Sequence, residues 1–389
     1  MIFAWLNKRD WKHPGPIMNM AVQNAHALAS LGYETHLFVS AGDADSDVKN
    51  DLRDFYGLDP LPGLQVHCLK RWKVGRSKLA MAVFLQTYRA IRQLARRDQV
   101  TVVTRDASFL PLLAWLRHRL PIKGLYEAHD FYSDNSWRTD RIKIAYRRQG
   151  WLERTFLPRI DGVICLTQAQ QELYRKVLPE VRSCAISLGT TPFSESDPEE
   201  RRRQRTLVYT GRLTSEKGIK IIFKAAPGLA RNNIRVAFFG GWEAQIALAR
   251  GRLQKQGLEG WVDFVEFRPP VEFHRALQAT GSIGLALLQD SFYNRYLTCP
   301  VKALDYLSHG LPVIGSDLPS VREVAGSAGF YLAPDDDAGL VQTATALLDD
   351  AENYRRATEL SRARARELRW KNRAAQIARF VHAPPVQHD

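Results

Sequence analysis

Short apolar runs alternate with longer amphipathic stretches along the whole chain. Runs of this length are typical of strands that a parallel sheet buries on both faces. In the first half they fall at residues 2–6, 35–39, 64–69, 100–104, 124–127, 162–166 and 182–187. In the second half they fall at residues 206–209, 235–239, 262–265, 283–287, 312–314 and 329–332. Helical patterns lie between the runs, so the sequence predicts an α/β protein with two doubly wound parallel sheets.

A polar linker separates the two halves. Residues 189–205 contain two prolines and a run of charged residues. We therefore predict an N-terminal Rossmann-like domain over residues 1–190 and a C-terminal Rossmann-like domain over residues 191–368. Two such domains would face each other across a cleft.

The composition excludes several classes of protein. Apolar residues make up 45% and charged residues 25% of the chain, which is normal for a soluble globular protein. No run approaches the roughly 18 consecutive apolar residues of a transmembrane helix. Residues 1–6 are too short for a signal segment and fit a first strand better. The four cysteines have no paired or metal-like spacing, so we expect a reducing cytoplasm and no structural metal.

Positive charge is concentrated in the N-terminal half. The net charge is +14, and residues 1–185 hold 28 of the 55 Lys and Arg but only 18 of the 41 Asp and Glu. Residues 79–97 have the pattern of a basic amphipathic helix. A second basic cluster comprises Arg138, Arg141, Lys143, Arg147 and Arg148. Such faces are expected either to dock on an anionic membrane or to be simply solvated. No recognition motif accompanies the charge, so we expect no nucleic-acid partner.

The stretch 299–317 is the first candidate for chemistry. It predicts a loop, a short helix that ends at Gly310, and a buried strand. In open α/β sheets, ligands lie at the carboxyl ends of strands, where helix N-termini bind anions. Lys302 would lie in the first turn of this helix. Asp305, one turn later, could accept two hydroxyls of a ribose. The alternative is an ordinary βα unit without a ligand.

Residues 209–218 form a second polar loop at the end of a predicted strand. Arg212 and Lys217 are its two cations. A diphosphate leaving group needs such partners, because negative charge accumulates on it in the transition state. The alternative is that these are surface cations, with Glu216 paired locally. Two glycines bracket the loop, Gly211 and Gly218.

Glycines at two further strand ends predict turns that a ligand can approach closely. One is Gly240, which follows the strand 235–239, and the other is Gly15 in the loop His13-Pro-Gly-Pro16. No G-x-G-x-x-G motif follows the first strand. This disfavours a nicotinamide dinucleotide enzyme.

His129 follows the predicted strand 124–127 and would lie at the carboxyl edge of the N-terminal sheet. Loops at this edge often carry functional groups. Glu127 and Asp130 could orient the imidazole or could cap the following segment. The alternative is a loop histidine with a structural hydrogen bond.

Five segments together resemble the retaining glycosyltransferases of family 4, which have the GT-B fold and belong to glycosyltransferase group 1. Gly211-Arg-Leu-x-x-Glu-Lys-Gly218 is similar to the family's G-R-L-x-x-E-K-G loop. The block Leu304-Asp-Tyr-Leu-Ser-His-Gly-Leu-Pro-Val-Ile314 resembles its E-A-M-A-x-G-x-P-V-V block. Phe239-Gly-Gly241 and Pro319-Ser-Val-Arg-Glu-Val324 match flanking segments, and Arg369-Trp370 resembles the start of the segment 369–389 that crosses back to the N-terminal domain.

The resemblance implies a role for each candidate. Arg212 and Lys217 would neutralise the donor diphosphate, and His129 would contact the sugar; these are the implied catalytic residues. The implied donor-binding residues are Gly15, Gly211, Gly240, Arg268, Thr298, Val301, Lys302 and Asp305. Family members need no metal and no cofactor, because the cations neutralise the diphosphate of a nucleotide-sugar, here most simply a UDP- or GDP-sugar. The family's mechanism is a front-face displacement.

One position departs from the family pattern. The first glutamate of the E-x7-E motif falls on Leu297, and the second falls on Asp305. The segment Pro300-Val-Lys-Ala-Leu-Asp-Tyr306 nevertheless fits a variant, Pro-x-Lys-x-x-Glu-Tyr, that many relatives carry. We therefore treat the chain as an active enzyme.

The expected activity is transfer of a sugar to a glycan, lipid-linked or small-molecule acceptor. We place it in the biosynthesis of a glycan, a glycolipid or a cell-surface polysaccharide, in the cytoplasm or on the inner face of the membrane. The alternatives are glycosylation of a soluble metabolite, a nucleotide-sugar epimerase, and a degenerate protein that only binds its ligand.

Overall fold

The chain forms two compact units. The computed structural model describes residues 1–13, 15–41, 47–70, 72–74, 77–79, 81–138, 144–193 and 196–383. The first unit contains residues 1–188 and the C-terminal helix that begins at Trp370, and the second unit is Gly189–Arg369. The chain therefore leaves the first unit once and returns to it near its end.

The first unit is built on a seven-stranded parallel sheet. In chain order its strands are β1 (Ile2–Asp10), β2 (Glu34–Ser40), β3 (Leu64–Leu69), β6 (Val100–Thr104), β7 (Ile122–Ala128), β8 (Gly162–Cys165) and β9 (Ser183–Ala185). Between β3 and β6, the strands β4 (Trp72–Val74) and β5 (Ser77–Leu79) form a separate antiparallel pair. The sheet order is β3-β2-β1-β6-β7-β8-β9. The helices are α1 (Pro16–Ser30), α2 (Val48–Asp54), α3 (Met81–Leu94), α4 (Leu110–Arg119), α5 (Ile144–Phe156) and α6 (Gln168–Val177).

The second unit repeats this plan with a six-stranded parallel sheet. Its strands are β10 (Thr206–Thr210), β11 (Arg235–Phe239), β12 (Val262–Val265), β13 (Ile283–Ala286), β14 (Val313–Ser316) and β15 (Gly329–Leu332), in the order β12-β11-β10-β13-β14-β15. Its helices are α7 (Pro198–Gln204), α8 (Ile219–Arg231), α9 (Glu243–Gln254), α10 (Pro270–Thr280), α11 (Val301–Ser308), α12 (Pro319–Ala325), α13 (Asp337–Asp349) and α14 (Ala351–Glu367). The prediction of two doubly wound parallel sheets is confirmed.

The helix predicted over the basic segment 79–97 is shorter at both ends, since it stops at Leu94. Leu79 lies in β5, which pairs with β4 in a two-stranded hairpin, and α3 begins only at Met81. The apolar spacing across 72–79 suits strand and helix alike, because so short a run contains too few turns to distinguish the two periods. In the second basic cluster, Arg141 and Lys143 lie outside the described residues.

The last helix, α15 (Trp370–His382), completes the core of the first unit. Its apolar stripe includes Ile377 and Val381, which are buried in the same cluster as Trp5 and Leu28. This stripe has helical spacing, so burial against α1 gives the helix its stability. The second unit has a separate core, which includes Leu207, Ile222, Phe238, Leu285, Ile314 and Leu347.

Candidate active site

In the second unit, the loops that follow β10 and β11 touch each other. The Gly211 N–H donates to the Phe239 carbonyl at 2.8 Å. Gly240 has φ +119°, and a Cβ on it would lie 2.7 Å from the Gly211 carbonyl oxygen. A side chain at position 240 would therefore force the two loops apart, so both conformation and space favour glycine there.

The two cations of the 211–218 loop are available to a ligand. Arg212 is exposed, and among the described residues its guanidinium has no hydrogen-bond or ion-pair partner. Lys217 is half-buried, with its Nζ 5.7 Å from the centre of the Tyr293 ring. Burial lowers the pKa of Lys217, and the Arg212 charge lowers it further, while Glu216 opposes both. The loop thus holds two mutually repelling charges, as a binding site for an anion would.

Lys302 brings a third cation to this place. Its Nζ is buried, lies 3.7 Å from the centre of the Tyr209 ring, and has no hydrogen-bond partner among the described residues. Burial holds the pKa of Lys302 well below its usual value, and Lys217 lowers it further. Burial also raises the pKa of Asp305 to about 8, against the opposing effect of Lys302. The structure thus brings Arg212, Lys217, Lys302 and Asp305 into one electrostatically coupled group.

Tyr306 fixes helix α11 against the sheet. Its hydroxyl accepts from the Thr210 N–H at 2.9 Å and donates to the Leu285 carbonyl at 3.2 Å. A Cβ on Gly284 would lie 2.1 Å from the Tyr306 ring, so glycine makes the room that this ring occupies. The helix starts at Val301 without a side-chain cap, so its first-turn amides, those of Val301 and Lys302, suit an anion.

The loop before α11 is tied to the 211–218 loop. The Asn294 side chain is buried and donates to the carbonyls of Glu216, at 3.2 Å, and Gln289, at 2.9 Å. The Thr298 hydroxyl donates to Asn294 Oδ1 at 3.5 Å, which is a weak contact. Leu297, in the position of the family glutamate, is only 1% exposed and packs as a core side chain.

Two further residues were predicted to bind the donor, Arg268 and Gly15. Arg268 follows β12, the edge strand of the second sheet, and is exposed; among the described residues no hydrogen bond or ion pair joins it to the loop cations. Gly15 belongs to the first unit, where it precedes α1 with an extended backbone at φ −82° and donates to His13 Nδ1 at 3.0 Å. This conformation alone does not require glycine.

His129, also in the first unit, is held by Glu127. The Nε2 atom of His129 contacts Glu127 Oε1, while Glu127 Oε2 accepts from Arg373 Nη2 at 2.5 Å. Despite burial, the Arg373 charge and the interaction with His129, which includes a hydrogen bond, lower the pKa of Glu127 to about 2, so it is a carboxylate at neutral pH. Burial, and then the charge of Arg105, lower the pKa of His129 to about 4, so its imidazole is neutral. Nε2 therefore carries the proton, which leaves Nδ1 as an acceptor.

Asp130 has a different partner. Its Oδ1 accepts from the Phe131 N–H and from Arg138 Nη2, both at 2.8 Å. Of the two open roles, Glu127 therefore orients His129, and Asp130 organises the segment that follows β7.

Sequence reasoning missed three residues of these sites. Arg373 lies on α15, remote in the chain from Glu127, and no local pattern marks it. Asn294 interrupts a helix-like run without a motif around it. Arg105 follows β6 directly, and the rule that functional groups cluster at carboxyl strand ends could have found it.

No group of three or more His, Cys, Asp or Glu side chains in the described ranges could hold a metal ion. Among those same ranges, no helix is long and apolar enough to cross a membrane.

Models of two protein families match the chain. Residues 18–189 match the glycosyl transferase 4-like domain, and residues 204–350 match glycosyl transferases group 1. One sequence relative is the alpha-D-kanosaminyltransferase of Streptomyces kanamyceticus, which is 26% identical over 228 residues, or 54% of this chain and 56% of the relative. The chain spans about half the length of the curated relatives it matches.

Two solved structures share the fold over nearly all of the chain. Sucrose-phosphate synthase from Thermosynechococcus elongatus matches with a TM-score of 0.70 and 19% identity, covering 98% of each chain. HepE from Anabaena, solved in complex with UDP-glucose, matches with a TM-score of 0.69 and 16% identity, covering 98% of this chain and 99% of HepE. The fold is therefore GT-B.

Proposed function

Because the chain belongs to the group 1 glycosyltransferases with a glycosyl transferase 4-like domain, we propose that it moves a sugar from a nucleotide-sugar to an acceptor hydroxyl, with retention and without a metal ion. One observation carries the proposal. Arg212, Lys217 and Lys302 are three neighbouring cations whose charged side-chain groups have no hydrogen-bond or ion-pair partner among the described residues. An anion with two phosphates supplies the missing charge.

The cations act on the leaving group. Arg212, Lys217 and the first-turn amides of α11 bind the diphosphate, and negative charge grows on its oxygen as the glycosidic bond breaks. Charges already in place stabilise that oxygen without reorganisation, which is why they lower the barrier. The same oxygen takes the proton of the acceptor hydroxyl, and the acceptor oxygen bonds to the anomeric carbon on the face that the diphosphate leaves.

The remaining groups position the donor. Asp305, at the pKa of about 8 that burial imposes, exchanges hydrogen bonds with the ribose hydroxyls. His129 offers its unprotonated Nδ1 to a hydroxyl of the sugar. The donor is a UDP-sugar or a GDP-sugar; the UDP-glucose complex of HepE favours testing uridine first.

We place the reaction in glycan or glycolipid biosynthesis in the cytoplasm, at an anionic membrane surface. Helix α5 supports this placement. It exposes Ile144 and Trp151, two turns apart, at 87% and 59%, with the exposed Arg147 and Arg148 between them. A helix face of this kind lies in the headgroup region.

Flotation with vesicles of anionic and of neutral lipid tests the membrane placement, and equal flotation with both would contradict it. The Trp151→Ser variant should float less.

Calorimetric titration with UDP, GDP, ADP and their glucose or mannose conjugates tests the donor site. We expect micromolar binding of one nucleotide and its sugar, lost in Lys217→Ala and Arg212→Ala. The matched control is Lys220→Ala, because Lys220 is an exposed lysine one turn later. Loss of one such preorganised cation should slow transfer about 10²- to 10³-fold. Full activity in Lys217→Ala would overturn the proposal.

The buried Leu297 favours a second candidate, a degenerate protein that binds the donor without transferring it. Nucleotide release separates the possibilities. Release only with an acceptor indicates transfer, release without a new glycoside indicates an epimerase, and tight binding without release indicates a binding protein.

A further inference from the structure

A second positively charged site lies in the first unit, at the carboxyl ends of β1 and β6. A cavity of about 160 Å³ opens there between the strand ends and α5. This is on the order of ten times the space that a single water needs. Its lining includes Lys8, Arg9, Arg105, Asp106, Tyr126 and Gln149.

The charges of this cavity do not balance. Lys8 Nζ pairs with Asp106 Oδ1 at 2.6 Å, so these two charges cancel. The guanidiniums of Arg9 and Arg105 have no hydrogen-bond or ion-pair partner among the described residues, and Arg9 is exposed. Burial lowers the pKa of Arg105 and the Arg9 charge lowers it further, while Glu127 and Asp106 oppose both effects. Two guanidiniums thus line one cavity whose single carboxylate, Asp106, is already paired with Lys8.

A buried polar atom gives independent support for a ligand. Gln149, on α5, lines the same cavity, and its Oε1 is buried without a hydrogen-bond partner among the described residues. A native interior rarely leaves such an atom unpaired, because the lost hydrogen bond costs about 1–3 kcal/mol. A ligand with both an anionic group and a hydroxyl would satisfy the two arginines and the amide together.

The cavity is close to the candidate sugar-binding histidine. The Arg105 charge lowers the pKa of His129, and the Glu127 charge raises the pKa of Arg105, so all three side chains lie within electrostatic range. An acceptor held by Arg9 and Arg105 would therefore present its hydroxyl near His129.

We propose that this cavity binds a phosphate group of the sugar acceptor, held by Arg9 and Arg105, with Gln149 accepting a hydrogen bond from an acceptor hydroxyl. The inference rests on the proposed function and narrows its substrate to a phosphate-bearing acceptor. Arginine suits this role, because its guanidinium binds phosphate oxygens in pairs. The phosphate belongs either to a soluble sugar phosphate or to a phosphate-linked lipid.

Titration of the full chain with matched probes tests the proposal. Glucose 6-phosphate is compared with glucose, and farnesyl phosphate with farnesol, all in the Lys217→Ala background to silence the diphosphate site. We expect at least one phosphate probe to bind tenfold or more tightly than its neutral counterpart. The probe that does so identifies the soluble or the lipid source. Arg105→Gln and Arg9→Gln should abolish the preference, and Arg9→Gln serves if Arg105→Gln fails to fold.

The control is Arg119→Gln. Arg119 is an exposed arginine of the same unit, and it ends α4 at the opposite, amino edge of the sheet. Equal binding of phosphate and neutral probes, or a preference that survives both arginine changes, would overturn the inference. UDP binding, measured separately with Lys217 intact, reports on the proposed function. If the protein binds UDP but shows no preference for the phosphate probes, only the acceptor site is disproved. If it prefers the phosphate probes but does not bind UDP, only the proposed transferase function is disproved.

Discussion

The Lys302 ammonium lies 3.7 Å from the centre of the Tyr209 ring, and no acceptor among the described residues hydrogen-bonds to it. A cation–π contact contributes only about 0.5–2 kcal/mol. The desolvation of a buried ammonium costs several kcal/mol. The unliganded protein therefore holds this lysine at a net cost, which a bound diphosphate would remove.

Replacing this lysine should separate stability from binding. We expect Lys302→Met to raise the melting temperature of the unliganded protein by a few degrees, because the substitution fills similar volume without a charge. The variant should bind UDP at least tenfold more weakly, so that a given UDP concentration adds less stability to it. Thermal melts with and without UDP measure both effects. A variant that is less stable and binds UDP normally would show that Lys302 is structural.

Asp305 should make stability depend on pH. Its folded pKa of about 8 exceeds the ordinary value of 3.8, so the folded state binds the proton more tightly. The stability that the protonated Asp305 contributes to the folded state is fully present below about pH 4 and is lost as the pH rises towards 8. A difference of one pKa unit corresponds to about 1.4 kcal/mol. The melting temperature of Asp305→Asn, relative to the native chain, should therefore increase from pH 5 to pH 8.5. A melting-temperature difference that does not change with pH would contradict a raised pKa of Asp305.

His129 should be neutral, with its proton on Nε2. Its folded pKa of about 4 lies below the ordinary 6.5, so the unfolded state binds more protons between these values. Stability should then rise as the pH increases from 4 to 6.5, and His129→Gln should remove this part of the slope. Nitrogen-15 NMR of the imidazole reports the tautomer, with the exposed His118 as internal reference. A His129 signal that titrates near pH 6.5 would refute the assignment.

The Arg373–Glu127 pair should be essential to the first unit. Arg373 also donates to Asn24 Oδ1 at 2.8 Å and to the Ser187 carbonyl at 2.5 Å. Arg373→Met leaves a buried carboxylate without its partner, which should cost about 3–5 kcal/mol of unfolding free energy. Urea denaturation measures this cost, and Arg379→Met, an exposed position on the same helix, is the control. The double variant Arg373→Met/Glu127→Gln should recover part of the loss. If Arg373→Met were as stable as Arg379→Met, the Arg373–Glu127 pair would not be important for stability.

The sequence alone was sufficient to predict the two parallel sheets. Buried parallel strands need continuous apolar runs, and thirteen of the predicted runs coincide with strands of the two large sheets. The loop with Arg212 and Lys217 was also visible, since glycines and cations at a strand end form a local pattern. The short strands β4 and β5 were missed, because their length carries no clear period.

The tertiary structure alone decided which distant side chains meet. Glu127 could orient His129 or cap a segment, and the choice follows from Arg373, 246 residues further along the chain. Lys302 lies against the Tyr209 ring and Tyr306 packs over Gly284, so both contacts join helix α11 to strands that are distant in the chain. The cavity beside Arg9 and Arg105 likewise forms only where two strand ends that are distant in the chain meet α5. Periodicity records which face of an element is buried, but charge and hydrogen-bond partners depend on elements that only folding brings together.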